Sequence, residues 1–187
     1  MTYATEKNKK RDIIRKEQRI RRKQKMKENS VLSWKEQKLT EGAIVDGIVK
    51  NIRPYGTFVE IGEGTVGLLH IEDSSVVRIK SPYDRFNIGQ KIKVMIKSID
   101  EEQNRIALTY KELLGTWEEN VEGFEQGMVV KGIAREAEKH KNGIFIELKP
   151  NLVGLAEYKE NIQYGQEVSV FIKKIIPEKK KIKLIIK

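Results

Sequence analysis

The sequence predicts an all-β protein: two tandem five-stranded barrels behind a basic, partly helical N-terminal arm. Three observations predict it. Short β-branched segments, broken by Gly, Pro, Asn and Asp, begin at Thr40 and continue to the end of the chain. Their pattern occurs twice. Positive charge is concentrated ahead of them: residues 1–39 hold 14 Lys and Arg against 5 Asp and Glu, whereas the other 148 hold 23 against 22.

The arm has few apolar positions, namely Ile13, Ile14, Ile20, Met26, Val31, Leu32 and Trp34. Residues 7–30 contain no Gly or Pro and are rich in helix formers. The apolar positions are too sparse for a packing stripe, so a helix here is solvated and marginal. A basic segment on a near-neutral body points to a polyanionic partner. Its densest stretch is Arg11, Arg15, Arg19, Arg21, Arg22 and Lys23. In a continuous helix, residues 11, 15, 19 and 22 or 23 share one face and form a ridge able to follow a phosphate backbone.

Candidate strands in the first repeat are 43–52, 57–62, 66–71, 91–99 and 105–110, with a short helical turn in Ser81–Phe86. The second repeat offers 128–135, 143–148, 152–156, 167–175 and 181–186. The repeats align through Gly42 with Gly127, Gly47 with Gly132, Phe58 with Phe145 and Gly67 with Gly154. Two copies of roughly 70 residues each suit small five-stranded barrels of modest stability. The expected division is arm and linker 1–39, barrel 40–114, linker 115–123 and barrel 124–187.

Composition excludes several classes. There is no cysteine, hence no disulfide and no thiolate metal site. No apolar run reaches the length of a membrane span, and there is no signal-peptide core; a cytoplasmic setting is expected. The two histidines, His70 and His140, fall in different repeats. No phosphate loop, catalytic triad or metal spacing stands out, and the acidic run Asp100–Glu102 reads as a solvated turn. No catalytic residue, metal, cofactor or small-molecule substrate is expected.

Strand alternation locates candidate binding residues. In Thr57–Ile61, Thr57, Val59 and Ile61 share the core face, which sends Phe58 outward beside Glu60. An outward aromatic is a platform on which a base can stack. In the last strand of the repeat, Ile106, Leu108 and Tyr110 point inward and Arg105 and Thr109 outward. His70 also alternates outward. Lys50, Arg53, Lys93 and Lys97 are candidates for a phosphate-facing rim on charge alone.

The ordered set Gly42, Gly47, Tyr55–Val59, Gly67–His70, Gly89–Gln90, Asp100 and Arg105–Leu108 closely resembles the S1 RNA-binding domain family. The resemblance covers residues 40–114 well and 124–187 more weakly, and the links at Trp34 and Trp117 are similar to those between tandem copies. It implies barrels of the OB fold and an RNA surface of two aromatics, a histidine and a basic residue: Tyr55, Phe58, His70 and Arg105. The second repeat departs from this set. Asn142, Glu157 and Lys181 stand at the positions of Tyr55, His70 and Arg105, and Phe145 alone remains of the aromatic pair. Phe145 and Lys181 are therefore its weak candidates. The stretch from Glu157 to Gly165 is also eleven residues shorter than that from His70 to Gly89. The second barrel reads as structural, a weak RNA contact or a protein-docking module.

The expected function is single-stranded RNA binding (mRNA or rRNA) in translation, with the small ribosomal subunit as a candidate partner. The alternatives keep the RNA and change the machine: a regulatory or RNA-decay adaptor, or a ribosome-associated stress protein.

Overall fold

In the computed structural model, residues 15–25, 39–62, 64–138 and 143–187 are described. Residues 15–25 form a helix, α1, with every side chain exposed. The first barrel follows, with strands β1 (Ile44–Arg53), β2 (Gly56–Gly62), β3 (Thr65–His70), β4 (Lys91–Asp100) and β5 (Arg105–Thr109). Its order is β1-β2-β3-β5-β4, closed by β4 on β1. The second barrel repeats this order with β6 (Val129–Glu138), β7 (Gly143–Lys149), β8 (Leu152–Glu157), β9 (Glu167–Ile176) and β10 (Lys181–Ile186). Closure leaves neither barrel an open strand edge.

The two barrels share their register. Ile48 lies opposite Glu60 as Ile133 lies opposite Glu147. Closure also takes one parallel pair in each barrel, β3 with β5 and β8 with β10. Glycine is required at this closure: a Cβ on Gly67 would lie 2.7 Å from the Leu108 side chain. Inward residues of alternating strands build two separate cores. One holds Val49, Val59, Leu69, Val94, Ile96 and Leu108; the other holds Ile144, Ile146, Leu152, Val170, Ile172 and Leu184.

The expected helical turn is a 3-10 turn at Pro82–Asp84, held by a reciprocal Ser81–Asp84 capping box. The segment between the barrels carries a short helix, α2 (Trp117–Val121), capped in the same way by Thr116 and Glu119. Trp117 and Val121 pack on the second core. The Asn151 amide donates to the Gly115 carbonyl at 2.6 Å, so this connection is fastened to the second barrel.

The long β3–β4 connection of the first barrel docks on the second. Ser75 Oγ and the Val77 N–H both donate to the Pro150 carbonyl, at 3.1 and 3.4 Å. Behind them lies a buried cluster of charges. Glu147, 4% exposed, accepts from Arg135 of its own barrel and pairs with Arg85 of the other. Arg135 also lies 3.4 Å from Asp84. Tyr164 donates to Asp84 at 2.6 Å and accepts the Lys80 N–H at 2.8 Å. Two cations and two anions balance, which is the condition for tolerating them away from water. Burial would lower the Arg135 pKa, but Glu147, Tyr164 and Asp84 outweigh it and keep the guanidinium charged. Burial, then the bond to Asp84, raises the Tyr164 pKa and keeps its proton in place.

The repeat supplies an internal control. Lys50 and Glu60 occupy the positions of Arg135 and Glu147 and form the same cross-strand pair, at 2.7 Å, but on an open surface. Glu147→Gln should cost about 3–5 kcal/mol, because it strands two buried guanidinium groups. Glu60→Gln should cost about 0–1 kcal/mol. Urea unfolding of the two variants measures the contrast; equal losses would contradict the burial argument.

Candidate nucleic-acid interface

The outer face of the first barrel is built by alternation. Thr57, Val59 and Ile61 are buried while Phe58 and Glu60 face out. Register then sets a row across the sheet. Asn51 faces Phe58, Phe58 faces Leu68, Leu68 faces Ala107, and Ala107 faces Ser98. Phe58 sits at the centre of this row among modest side chains, so its ring is approachable.

Tyr55 stands in the β1–β2 turn, 51% exposed. Its ring meets that of Phe58 edge-on, with centroids 6.2 Å apart and an interplanar angle of 85°. Gly56 makes the arrangement possible, because a Cβ there would lie 2.6 Å from the Leu69 carbonyl oxygen. That close approach puts His70 opposite Gly56 and brings the Ile71 N–H to the Tyr55 carbonyl at 2.9 Å. His70 Nδ1 accepts the Glu72 N–H at 3.4 Å, which leaves Nε2–H of the neutral ring as its free donor. Tyr55, Phe58 and His70 thus form one continuous patch.

Arg105 does not join its centre. The parallel pairing of Leu68 with Ala107 sets Arg105 level with Val66, at the far end of β3 from His70. Four residues of strand separate the two levels, about 13 Å. The histidine and the arginine therefore flank Phe58 from opposite sides, a spacing suited to a strand laid across the face rather than to one nucleotide.

The rim cations have different fates. Arg53 is exposed. Lys50 reaches Glu60 at 2.7 Å and Lys93 reaches Asp46 at 3.2 Å. Lys97 is held by both oxygens of Asp73, at 2.8 and 3.0 Å, and Lys111 reaches the same carboxylate at 3.0 Å.

Thr109, expected outward, is buried. After His70 the chain turns over the end of β5, where the Tyr110 N–H donates to the Asp73 carbonyl at 2.9 Å, and this crossing covers the threonine. Alternation gave the correct face but could not show that another segment lies on it.

In the second barrel the equivalent face is partly covered. Phe145 is half-buried and lines a cleft with Val76, Val77 and Arg78 of the docked connection. Glu157 lies opposite Gly143, as His70 lies opposite Gly56. Lys181 is exposed, and Asn142 and His140 lie outside the described residues. Sequence reasoning missed Asp84, Arg85, Arg135, Glu147 and Tyr164, the buried cluster through which the connection docks on this barrel. The signal available was the replacement of Lys50 by Arg135 between repeats, at the partner of a shared glutamate.

In α1, Arg15, Arg19, Arg21, Arg22 and Lys23 are all exposed, and Arg15, Arg19 and Lys23 follow i, i+4 spacing. Arg11 and Trp34 lie outside the described residues. Among the described residues no cluster of three His, Cys, Asp or Glu could hold a metal ion, and no helix is long and apolar enough to cross a membrane.

A closed five-stranded barrel of this strand order, with aromatics on its outer sheet face, defines an OB-type nucleic-acid-binding module. Comparison with known proteins names the kind. Residues 38–111 match the S1 RNA binding domain family, so the chain carries an S1 domain and its first barrel is that domain. Similarity to relatives covers about four-fifths of the chain. The chain is 36% identical to the small ribosomal subunit protein bS1 of Rhizobium meliloti over 79% of its own length and 28% of that protein's. It is 34% identical to bS1 of Staphylococcus aureus, over 81% of this chain and 41% of the relative. It is also 36% identical to a 4-hydroxy-3-methylbut-2-enyl diphosphate reductase of Clostridium acetobutylicum, over 80% of this chain and 25% of that protein. The chain therefore spans between a quarter and about two-fifths of the length of these relatives.

The Asp73 cluster yields a pH prediction. Burial pushes the Asp73 carboxyl up, but hydrogen bonds and charge from Lys97 and Lys111 outweigh it and hold the group below its ordinary value of 3.8. A depressed carboxylate contributes stability that is full above its unfolded pKa and is lost as pH falls through the folded one. Asp73→Asn should therefore lose about 1–2 kcal/mol at neutral pH. The gap from the parent should close below about pH 4. Urea unfolding across that range checks it; a gap independent of pH would refute the assignment.

Proposed function

We propose that this chain is a non-enzymatic, cytoplasmic RNA-binding protein that holds single-stranded mRNA or rRNA in translation, with the small ribosomal subunit as its partner. The observation that carries this is the edge-on pair of exposed Tyr55 and half-buried, outward-facing Phe58 on the outer sheet of an S1 domain, flanked by His70 and Arg105. Aromatic rings stack on any unpaired base, and cations neutralise phosphate, so binding is strong without base readout. Lys50, Arg53 and Lys93 contribute at the rim, while Lys97 acts through Asp73. The relatives named bS1 support the assignment to translation. Loss of the protein from small subunits sedimented at low salt would count against that setting.

Phe58→Ala should weaken single-stranded RNA binding by about 1–3 kcal/mol, as expected for one lost stacking platform. Phe145→Ala should cost less, because its face is partly covered and its companions are Asn142 and Glu157. Fluorescence anisotropy with a labelled single strand measures both, with duplex of equal length as the weaker competitor. Equal losses from the two folded variants, or a duplex that wins, would overturn the stacking mechanism.

The arm adds charge without sequence preference. Each neutralised phosphate of a single strand adds about −0.7 to the log–log salt slope. Removing residues 1–29, which carry Arg11, Arg15, Arg19, Arg21, Arg22 and Lys23, should flatten the slope by about 3.5 if about five contacts form. An unchanged slope would make the arm a solubility tail.

A further inference from the structure

The second barrel lost the histidine position and one aromatic, yet its last hairpin gained charge. Residues 173–187 contain seven lysines and one carboxylate, Glu178. The equivalent stretch of the first barrel, residues 97–111, contains three cations and three carboxylates. The difference lies on the outer face. Arg105 faces Asp100 across β4 and β5, whereas Lys181 faces Ile176 across β9 and β10. Ser98 faces Ala107 in the first barrel, and at the same place in the second Lys174 faces Lys183. Side chains directly opposite on antiparallel strands share a face and stand close, so like charges there repel.

The lysines have little to neutralise them. Among the described residues Lys180 pairs with Glu118 at 2.9 Å, while Lys173, Lys174, Lys179, Lys181, Lys183 and Lys187 form no ion pair. Lys180, Lys181 and Lys183 line a groove of about 560 Å³ floored by Phe145, Val153 and Leu155. A facing pair of lysines opposes folding and brings no internal contact. Such a cluster is suited to an external polyanion with closely spaced charges.

We propose that the outer face of β9 and β10, centred on Lys174, Lys181 and Lys183, is a second RNA contact that holds the phosphodiester backbone by charge alone. This rests on the reading of the chain as an RNA-binding protein. It differs from the first barrel's site in chemistry: Lys181 keeps the basic position of Arg105, while Lys174 and Lys183 stand where the first barrel has the uncharged Ser98 and Ala107. The two barrels then divide the work: one stacks bases and the other neutralises phosphates.

The test uses the full chain and a labelled single-stranded RNA long enough to reach both barrels. Lys174→Gln, Lys181→Gln and Lys183→Gln together should flatten the log–log salt slope by about 2, at about 0.7 for each of three phosphates. The triple replacement by arginine should keep the parent slope. Phe58→Ala should reduce affinity with the slope unchanged, so failure of stacking and failure of the lysine face are read separately. The glutamine variant should unfold on heating no earlier than the parent, since it relieves the Lys174–Lys183 repulsion. An unchanged slope in the glutamine variant would overturn the proposal. So would loss of binding to polyglutamate with RNA binding intact, which would assign the face to an acidic protein.

Discussion

Much of this molecule depends on one buried carboxylate. Glu147 lies between Arg135 of its own barrel and Arg85 of the other, and it is almost wholly removed from water. An ion so placed is stable only while both partners stay in reach. The β3–β4 connection must therefore remain on the second barrel, with Asp84 and Tyr164 completing the charge balance. This contact decides which outer faces remain open. The first barrel keeps its aromatic face, and the second has part of its equivalent face covered.

Arg85 and Asp84 belong to a connection that the second repeat lacks, where eleven residues are absent between Glu157 and Gly165. The shortened repeat cannot offer the same connection to a further copy, while the long connection of the first repeat finds its seat on the second. The asymmetry between repeats thus gives the tandem pair a defined order.

The two barrels also show how one backbone carries different surface chemistry. The register is shared, so each outward position in one barrel has a counterpart in the other. Lys50 and Glu60 form a solvated pair, while Arg135 and Glu147 form a buried one. Tyr55, Phe58 and His70 make an open aromatic patch, while Phe145 sits beside a run of lysines. Most inward positions stay aliphatic in both, because each must fill the same small core.

What the sequence determined by itself was whatever depends on near neighbours along the chain. Alternation with a period of two identified the strands, the core residues Thr57, Val59 and Ile61, and the outward Phe58, because adjacent side chains on a strand must take opposite faces. The internal repeat doubled that evidence, and glycines marked the close approaches at Gly56 and Gly67. What only the tertiary structure decided was what lies against an outward face. Thr109 is on the outer side as alternation requires, yet the chain beyond His70 covers it. Arg105 falls level with Val66 and away from His70, because the parallel register of β3 and β5 sets the offset. Glu147 and Arg85 are sixty-two residues apart, and nothing local to either announces the other. Local sterics write strand alternation into any short segment, whereas burial of a surface position depends on a distant segment arriving there.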